Sequence, residues 1–166
     1  KHVDKASPVT VLDTRKTTPG LRVYEKYAVG CGGGSNHRFG LYDEIMIKDN
    51  HIKSAGSISR AVEKVRDGLG PQTKIEVETQ NLDEVQEALE KDVDVIMLDN
   101  MPIDMIRESV KLIDGRAKVE ISGCVTLERL DEISRTGADF VSVGALTHSA
   151  PSVDISMNII ALSRGC

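Results

Sequence analysis

The chain has 166 residues, 40% of them hydrophobic and 28% charged, with 21 Lys and Arg against 26 Asp and Glu for a net charge of -5. That length suits a single domain, and no apolar stretch approaches the ~20 residues of a membrane span. The acidic balance, with two Phe and no Trp, argues against nucleic-acid binding, which needs a broad basic surface and stacking platforms; a small anionic ligand in a local basic pocket fits better.

Residues Lys1–Pro8 lack the apolar core of a signal peptide. Cys31, Cys124 and Cys166 lie far apart with no C-x-x-C spacing, so neither a zinc site nor a disulfide framework is expected, and a reducing, cytoplasmic setting is the default. A first residue other than Met is what a fragment would show.

Short runs rich in Val and Ile, each followed by polar residues or Gly, predict six strands at about 9–13, 43–48, 74–79, 93–98, 118–122 and 139–144. The first is followed by Asp13-Thr-Arg-Lys-Thr-Thr-Pro-Gly20, and a Gly-rich run, Gly30-Cys-Gly-Gly-Gly-Ser-Asn36, reads as a flexible loop delivering His37 and Arg38. It matches neither a phosphate-binding Walker loop nor a dinucleotide fingerprint. The second strand ends in Lys48, with His51 close behind. Ile58, Ala61, Val62, Val65 and Leu69 keep the rhythm of one helical face, as do Leu82, Val85, Ala88 and Leu89. Asn81-Leu-Asp-Glu84 has the form of a capping box, Asn100 and Thr126 suit N-caps, and Pro102 suits the first turn of a helix running to about Ile113.

Strands alternating with helices predict an α/β fold of parallel strands joined by right-handed crossovers. Arg15, Lys48, Glu78, Asp99, Ser122 and Gly144 put polar residues or Gly at the end of every strand, which favours a TIM-like barrel over an open sheet with one crevice. A full (β/α)8 barrel takes roughly 250 residues, so residues 1–166 are expected to form most of an incomplete barrel in one domain.

The period of two puts Lys74, Glu76 and Glu78 on one face of the third strand, where Glu76 with Lys74 reads equally as a structural ion pair. Glu78 is the better functional candidate. Asp99 stands at the end of the next strand, and two carboxylates on successive strands suit a magnesium ion shared with substrate phosphates. In the last two units the strand runs through Gly toward a helix at Ser122-Gly-Cys124 and Val143-Gly-Ala145, an arrangement that binds phosphate through exposed backbone N–H groups.

Seven segments in this order resemble the quinolinate phosphoribosyltransferase family: Asp-Thr-Arg-Lys-Thr-x-Pro-Gly at 13, Asn-His-Arg-x-Gly-Leu-x-Asp at 36, Ile-Lys-Asp-Asn-His at 47, Glu-Val-Glu at 76, Leu-Asp-Asn at 98, Glu-x-Ser-Gly at 120 and Val-Gly-Ala-Leu-Thr-His at 143. The resemblance runs from about Val9 to Ile159. It implies transfer of the 5-phosphoribosyl group of phosphoribosyl pyrophosphate to quinolinate with decarboxylation, giving nicotinate mononucleotide, pyrophosphate and CO2 for NAD biosynthesis. Thr14, Arg15, Lys16, His37, Arg38 and Lys48 are then expected to bind substrate. Lys16, Lys48, Glu78 and Asp99 would be catalytic, with Glu78 and Asp99 holding Mg2+. Ser122, Gly123, Cys124, Val143, Gly144, Ala145 and His148 would hold the 5-phosphate.

The resemblance also implies an N-terminal α/β sandwich domain and the start of the barrel ahead of what this chain matches, and a homodimer in which an Arg from that part reaches the partner's site. Cys124 stands where the family usually has a second Gly. A non-catalytic phosphate-binding barrel fragment, a paralogue acting on another acid, and a Schiff-base aldolase using Lys48 are the competing readings.

Overall fold

The computed structural model describes residues 9–160; the expectations for Lys1–Pro8 and Cys166 lie outside them. The Val- and Ile-rich runs become six strands: β1 (Thr10–Leu12), β2 (Ile45–Ile47), β3 (Ile75–Thr79), β4 (Val95–Asp99), β5 (Lys118–Ser122) and β6 (Phe140–Ser142). They form one sheet in the order β1-β6-β5-β4-β3-β2, with every pair parallel. Successive strands from β2 to β6 sit side by side, as right-handed crossovers require. β1 pairs with the last of them, so the sheet curls toward a ring.

A parallel bridge between Leu12 and Ser35 carries the ladder one step beyond β1. The same segment reaches toward the free edge of β2 through Arg38, whose guanidinium donates to the Glu44 carbonyl at 3.0 Å and lies 3.4 Å from Met46 Sδ. Among the described residues no backbone ladder closes that gap, so the barrel is incomplete, as the chain's length predicts.

The helices are α1 (Arg22–Cys31), α2 (Asp49–Ala55), α3 (Ile58–Leu69), α4 (Leu82–Glu90), α5 (Ile103–Ile113), α6 (Leu127–Ile133) and α7 (Ala145–His148). Ser57 caps α3 by accepting the Arg60 N–H at 3.1 Å. Asn81 caps α4 by accepting the Glu84 N–H at 2.9 Å, and the Glu84 carboxylate returns to the Gln80 N–H at 2.7 Å, one residue earlier than a standard box.

The apolar core lies between strands and helices. Val77, Ile96, Leu98, Ile121 and Val141 point outward onto Ile58, Val62, Val85, Ile106 and Ile133, all essentially inaccessible to water. Burying each such side chain contributes roughly 1.5–3 kcal/mol. The alternate residues face inward, and there the composition changes: Met46, Glu76, Met97, Glu120 and Ser142 are buried in the barrel interior.

Two local expectations are corrected. Gly30 and Cys31 finish α1, and Ser35 is tied to β1 by its N–H to the Val11 carbonyl (2.8 Å) and its carbonyl to the Asp13 N–H (3.2 Å), so the Gly-rich run is built into the sheet rather than a free loop. Asn100 does not cap α5; Pro102 occupies that position, and Asn100 adopts a left-handed φ of 54°. Thr126 does precede α6, without a side-chain cap bond.

Candidate active site

Every strand points its C-terminal end to the same side of the sheet, and the loops leaving those ends carry the predicted cations. After β1, the main chain turns at Thr14–Thr17, with the Lys16 N–H donating to Thr14 Oγ1 at 3.1 Å. Arg22 on α1 holds this turn: its guanidinium donates to the Arg15 carbonyl (3.2 Å), Thr17 Oγ1 (3.0 Å) and the Phe39 carbonyl (3.1 Å), bracing the Arg15 turn against the Arg38 segment. Arg15 is close enough to Arg38 that its charge disfavours the charge there. Burial and then the Arg15 charge lower the Arg38 pKa below the usual guanidinium range. Arg15 Nε is buried without a hydrogen-bond partner. Two adjoining guanidiniums with unspent donors are suited to a ligand that brings more than one carboxylate.

Beneath them is a buried ion pair. Asp13, fully inaccessible, accepts from Lys26 Nζ, from Asn36 Nδ2 at 2.6 Å and from the His37 N–H at 3.0 Å. Lys26 also donates to the His37 carbonyl at 2.8 Å. This network fixes the backbone that presents His37 and Arg38, and neither Asp13 nor Lys26 is among the candidates read from sequence. No sequence signal marked them: only in the structure do the apolar Val23, Tyr24 and Tyr27 of α1 stand exposed while Lys26 and Val29 are buried. That inversion of the usual stripe marks a charge taken inside for a purpose.

His37 lies deeper than expected. Its Nε2 points between Glu76 and Glu120, 3.6 and 3.4 Å away, and its Nδ1 faces the Arg38 N–H at 2.8 Å and the solvent-exposed Glu44 carboxylate at 3.7 Å. Burial disfavours a charged imidazole, yet the pull of Glu120 and Glu76 outweighs it and the pKa stands above its ordinary 6.5. The Arg38 N–H works against that rise, since it suits a bare Nδ1. Glu76 is itself raised by burial. Its partner is therefore His37 and not Lys74, which is exposed one residue before β3. His37, Glu76 and Glu120 bring three ligand atoms within 4.8 Å of one another. An imidazole N–H aimed between the two carboxylates supplies the positive charge that such a set calls for.

Further along the rim, Lys48 Nζ meets Glu78 at 2.5 Å, joining the ends of β2 and β3. An ammonium committed to a carboxylate does not favour the Schiff-base reading. His51 accepts the Lys48 N–H at 2.9 Å and so serves to cap α2. Asp99 ends β4 half-buried and accepts from Asn100 Nδ2 at 2.8 Å. Glu78 and Asp99 present hard oxygens at adjacent strand ends, a donor set that fits magnesium.

Asn100 has a different task from capping: its N–H donates to the Ser122 carbonyl at 2.9 Å, and its side chain covers Gly123. A Cβ at Gly123 would lie 2.1 Å from Asn100 Oδ1, and the residue has a φ of 91°, so only Gly fits. Cys124 follows at a φ of 47°. At the end of β6, the Val143 N–H donates to the Leu12 carbonyl (3.0 Å) and Thr147 Oγ1 to the Lys16 carbonyl (2.6 Å), bringing Lys16 beside Gly144 and His148. The structure therefore gathers the predicted residues into an Arg15, Arg38 and His37 group, a Lys48, Glu78 and Asp99 group, and a Lys16, Gly144 and His148 group, with Ser122–Cys124 next to Asp99.

The family profile described as quinolinate phosphoribosyl transferase, C-terminal domain, matches residues 1–158. The chain belongs to this family. It is 52% identical over 151 residues to a probable nicotinate-nucleotide pyrophosphorylase (carboxylating) of Bacillus subtilis, covering 91% of this chain and 52% of that protein. It is 47% identical over 174 residues to quinolinate phosphoribosyltransferase (decarboxylating) 1b of Nicotiana tabacum, covering 94% of this chain and 50% of that protein. Among solved structures, NadC from Streptococcus pyogenes superposes with a TM-score of 0.86 at 46% identity, over 91% of this chain and 53% of that one. The chain thus spans about half the length of the relatives it matches. Within the family fold, Cys124 takes the left-handed backbone that its position demands, which a non-Gly residue reaches at a cost of about 1–2 kcal/mol. Among the described residues no helix is long and apolar enough to cross a membrane.

Proposed function

We propose that this chain carries the phosphoribosyl-transfer site of a quinolinate phosphoribosyltransferase, which joins the 5-phosphoribosyl group of phosphoribosyl pyrophosphate to the ring nitrogen of quinolinate and releases pyrophosphate and CO2. The observation that carries this reading is the adjoining pair Arg15 and Arg38, with an unpartnered buried Nε, at the C-terminal ends of the strands. Quinolinate brings two neighbouring carboxylates, and planar guanidiniums recognise these in bidentate fashion. His37 and Lys48 add positive charge at the edges of the same pocket.

Ser122–Cys124 and Val143–Ala145, with His148, receive the 5-phosphate on backbone N–H groups. Lys16 meets the phosphates between that loop and the acid pocket. Positive charge develops on the ribosyl carbon as pyrophosphate departs, and the carboxylates of Glu78 and Asp99 stabilise it. The same two residues would hold magnesium, which supplies charge neutralisation to the leaving group when bound. Lys48, paired with Glu78, holds that carboxylate in place. Once the ring nitrogen is alkylated, its positive charge stabilises the carbanion left by CO2, so decarboxylation asks little of the protein beyond positioning.

The chain supplies the barrel part of the enzyme, and the working assembly is a cytoplasmic homodimer that includes the half of the relatives' length this chain does not span. Isothermal titration with quinolinate, then with phosphoribosyl pyrophosphate and magnesium, followed by an assay for nicotinate mononucleotide, tests the reading. Saturable quinolinate binding that is lost in R38A supports it. Phosphoribosyl pyrophosphate binding without any quinolinate binding would leave a phosphate-holding barrel or a paralogue for another acid.

A further inference from the structure

The barrel interior holds two acids that the proposed chemistry does not use. Glu76 on β3 and Glu120 on β5 are 6% and 2% exposed. Glu120 accepts a hydrogen bond from the Ser142 hydroxyl on β6, which fixes its carboxylate. Two negative charges under a pocket for a dianion are electrostatically unfavourable to that ligand, so their presence calls for a compensating role. Both converge on one atom, His37 Nε2, from the strands on either side of β4.

We infer that Glu76 and Glu120, with Ser142, are positioning residues: they fix His37 with Nε2–H turned into the barrel, so that its Nδ1 edge and the adjoining Arg38 are held toward the acid pocket. An imidazole without these partners can flip about its Cβ–Cγ bond and exchange its two edges. The groups facing the ring are Glu76, Glu120, Glu44 and the Arg38 N–H, and only the first two are buried enough to act at full strength. The inference rests on the acid-binding reading for its functional consequence, while the state of the ring can be observed without it.

Glu120→Gln keeps shape and an acceptor for Ser142 while deleting one charge, and Ser142→Ala loosens Glu120 with little change in volume. Nitrogen-15 NMR of the imidazole in the 166-residue chain should show Nε2 protonated throughout the titration, with a midpoint above 6.5 that falls by at least a unit in Glu120→Gln. Quinolinate affinity should weaken about tenfold in Glu120→Gln and less in Ser142→Ala, with phosphoribosyl pyrophosphate affinity unchanged. The sign is decisive, because removing a negative charge near an anion site would by simple electrostatics tighten binding. Tighter quinolinate binding, an Nδ1–H tautomer in the unaltered chain, or an unmoved midpoint would each overturn the inference. Should the unaltered chain bind no quinolinate at all, the acid reading fails, and the NMR result still decides the role of the carboxylates.

Discussion

Replacing Lys26 with Met tests whether the buried ion pair organises the acid pocket. Lys26 is 4% exposed and Asp13 is 0% exposed. The substitution preserves most of the side-chain volume and removes the ammonium from Asp13 and from the His37 carbonyl. Asp13 keeps the Asn36 amide and the His37 N–H, two neutral donors that offset part of the loss. Breaking one side of a buried pair costs about 3–5 kcal/mol, and the two remaining hydrogen bonds place this case near the lower end, about 3 kcal/mol. For a chain of this size each kcal/mol moves Tm by about 2–4 °C, so a fall of roughly 6–12 °C is expected. Thermal and urea melts of Lys26→Met, Asp13→Asn and the double variant provide the assay. Because each single change strands a buried partner, the double variant should cost clearly less than the sum of the two. A loss under about 1 kcal/mol in Lys26→Met, or strict additivity, would refute the argument that this pair is desolvated and mutually dependent.

Other consequences can be checked with the same chain. Since the folded pKa of His37 is raised above 6.5, its protonated ring contributes stability that is fully present below pH 6.5 and lost as pH rises through the folded value; urea midpoints should therefore decline on the alkaline side, and more shallowly in His37→Gln. Cys124→Gly should relieve the left-handed strain and raise stability by up to about 1 kcal/mol, with equal or tighter phosphoribosyl pyrophosphate binding; a destabilised variant would show that the thiol side chain packs usefully. Gly123→Ala, whose Cβ would meet Asn100 Oδ1 at 2.1 Å, should weaken phosphoribosyl pyrophosphate binding and leave quinolinate binding nearly intact, as titration of each ligand would reveal. Glu78→Gln should lower turnover in the nicotinate mononucleotide assay by roughly 10²-fold or more while sparing quinolinate affinity, and an equal effect on both would argue against its placement at the ribosyl carbon.

The linear sequence settled the strands because each is a short run carrying Val or Ile, continuous in β4 and alternating with charged residues in β3 and β5, and each is followed by polar residues or Gly. All six appear at the predicted positions, and α3, α4 and α5 follow from apolar rhythm and their flanking residues. The motif segments pointed to the family that the family profile shows. What the sequence could not show is which charged residues are taken inside. Lys26 looks like any helical lysine until α1 packs against the β1 end and turns its polar side inward. Glu76 has Lys74 as its neighbour in sequence, yet its inward-facing neighbours are His37, with which it pairs, and the like-charged Glu120, brought in from 39 and 44 residues away by the curl of the sheet. Asn100 reads as an N-cap from local preference, and only the close approach of β4 and β5 gives it Gly123 to cover. Local propensity and periodicity depend on neighbours in the chain, whereas ion pairs inside a barrel depend on which strands face one another, and that is decided when β1 pairs with β6.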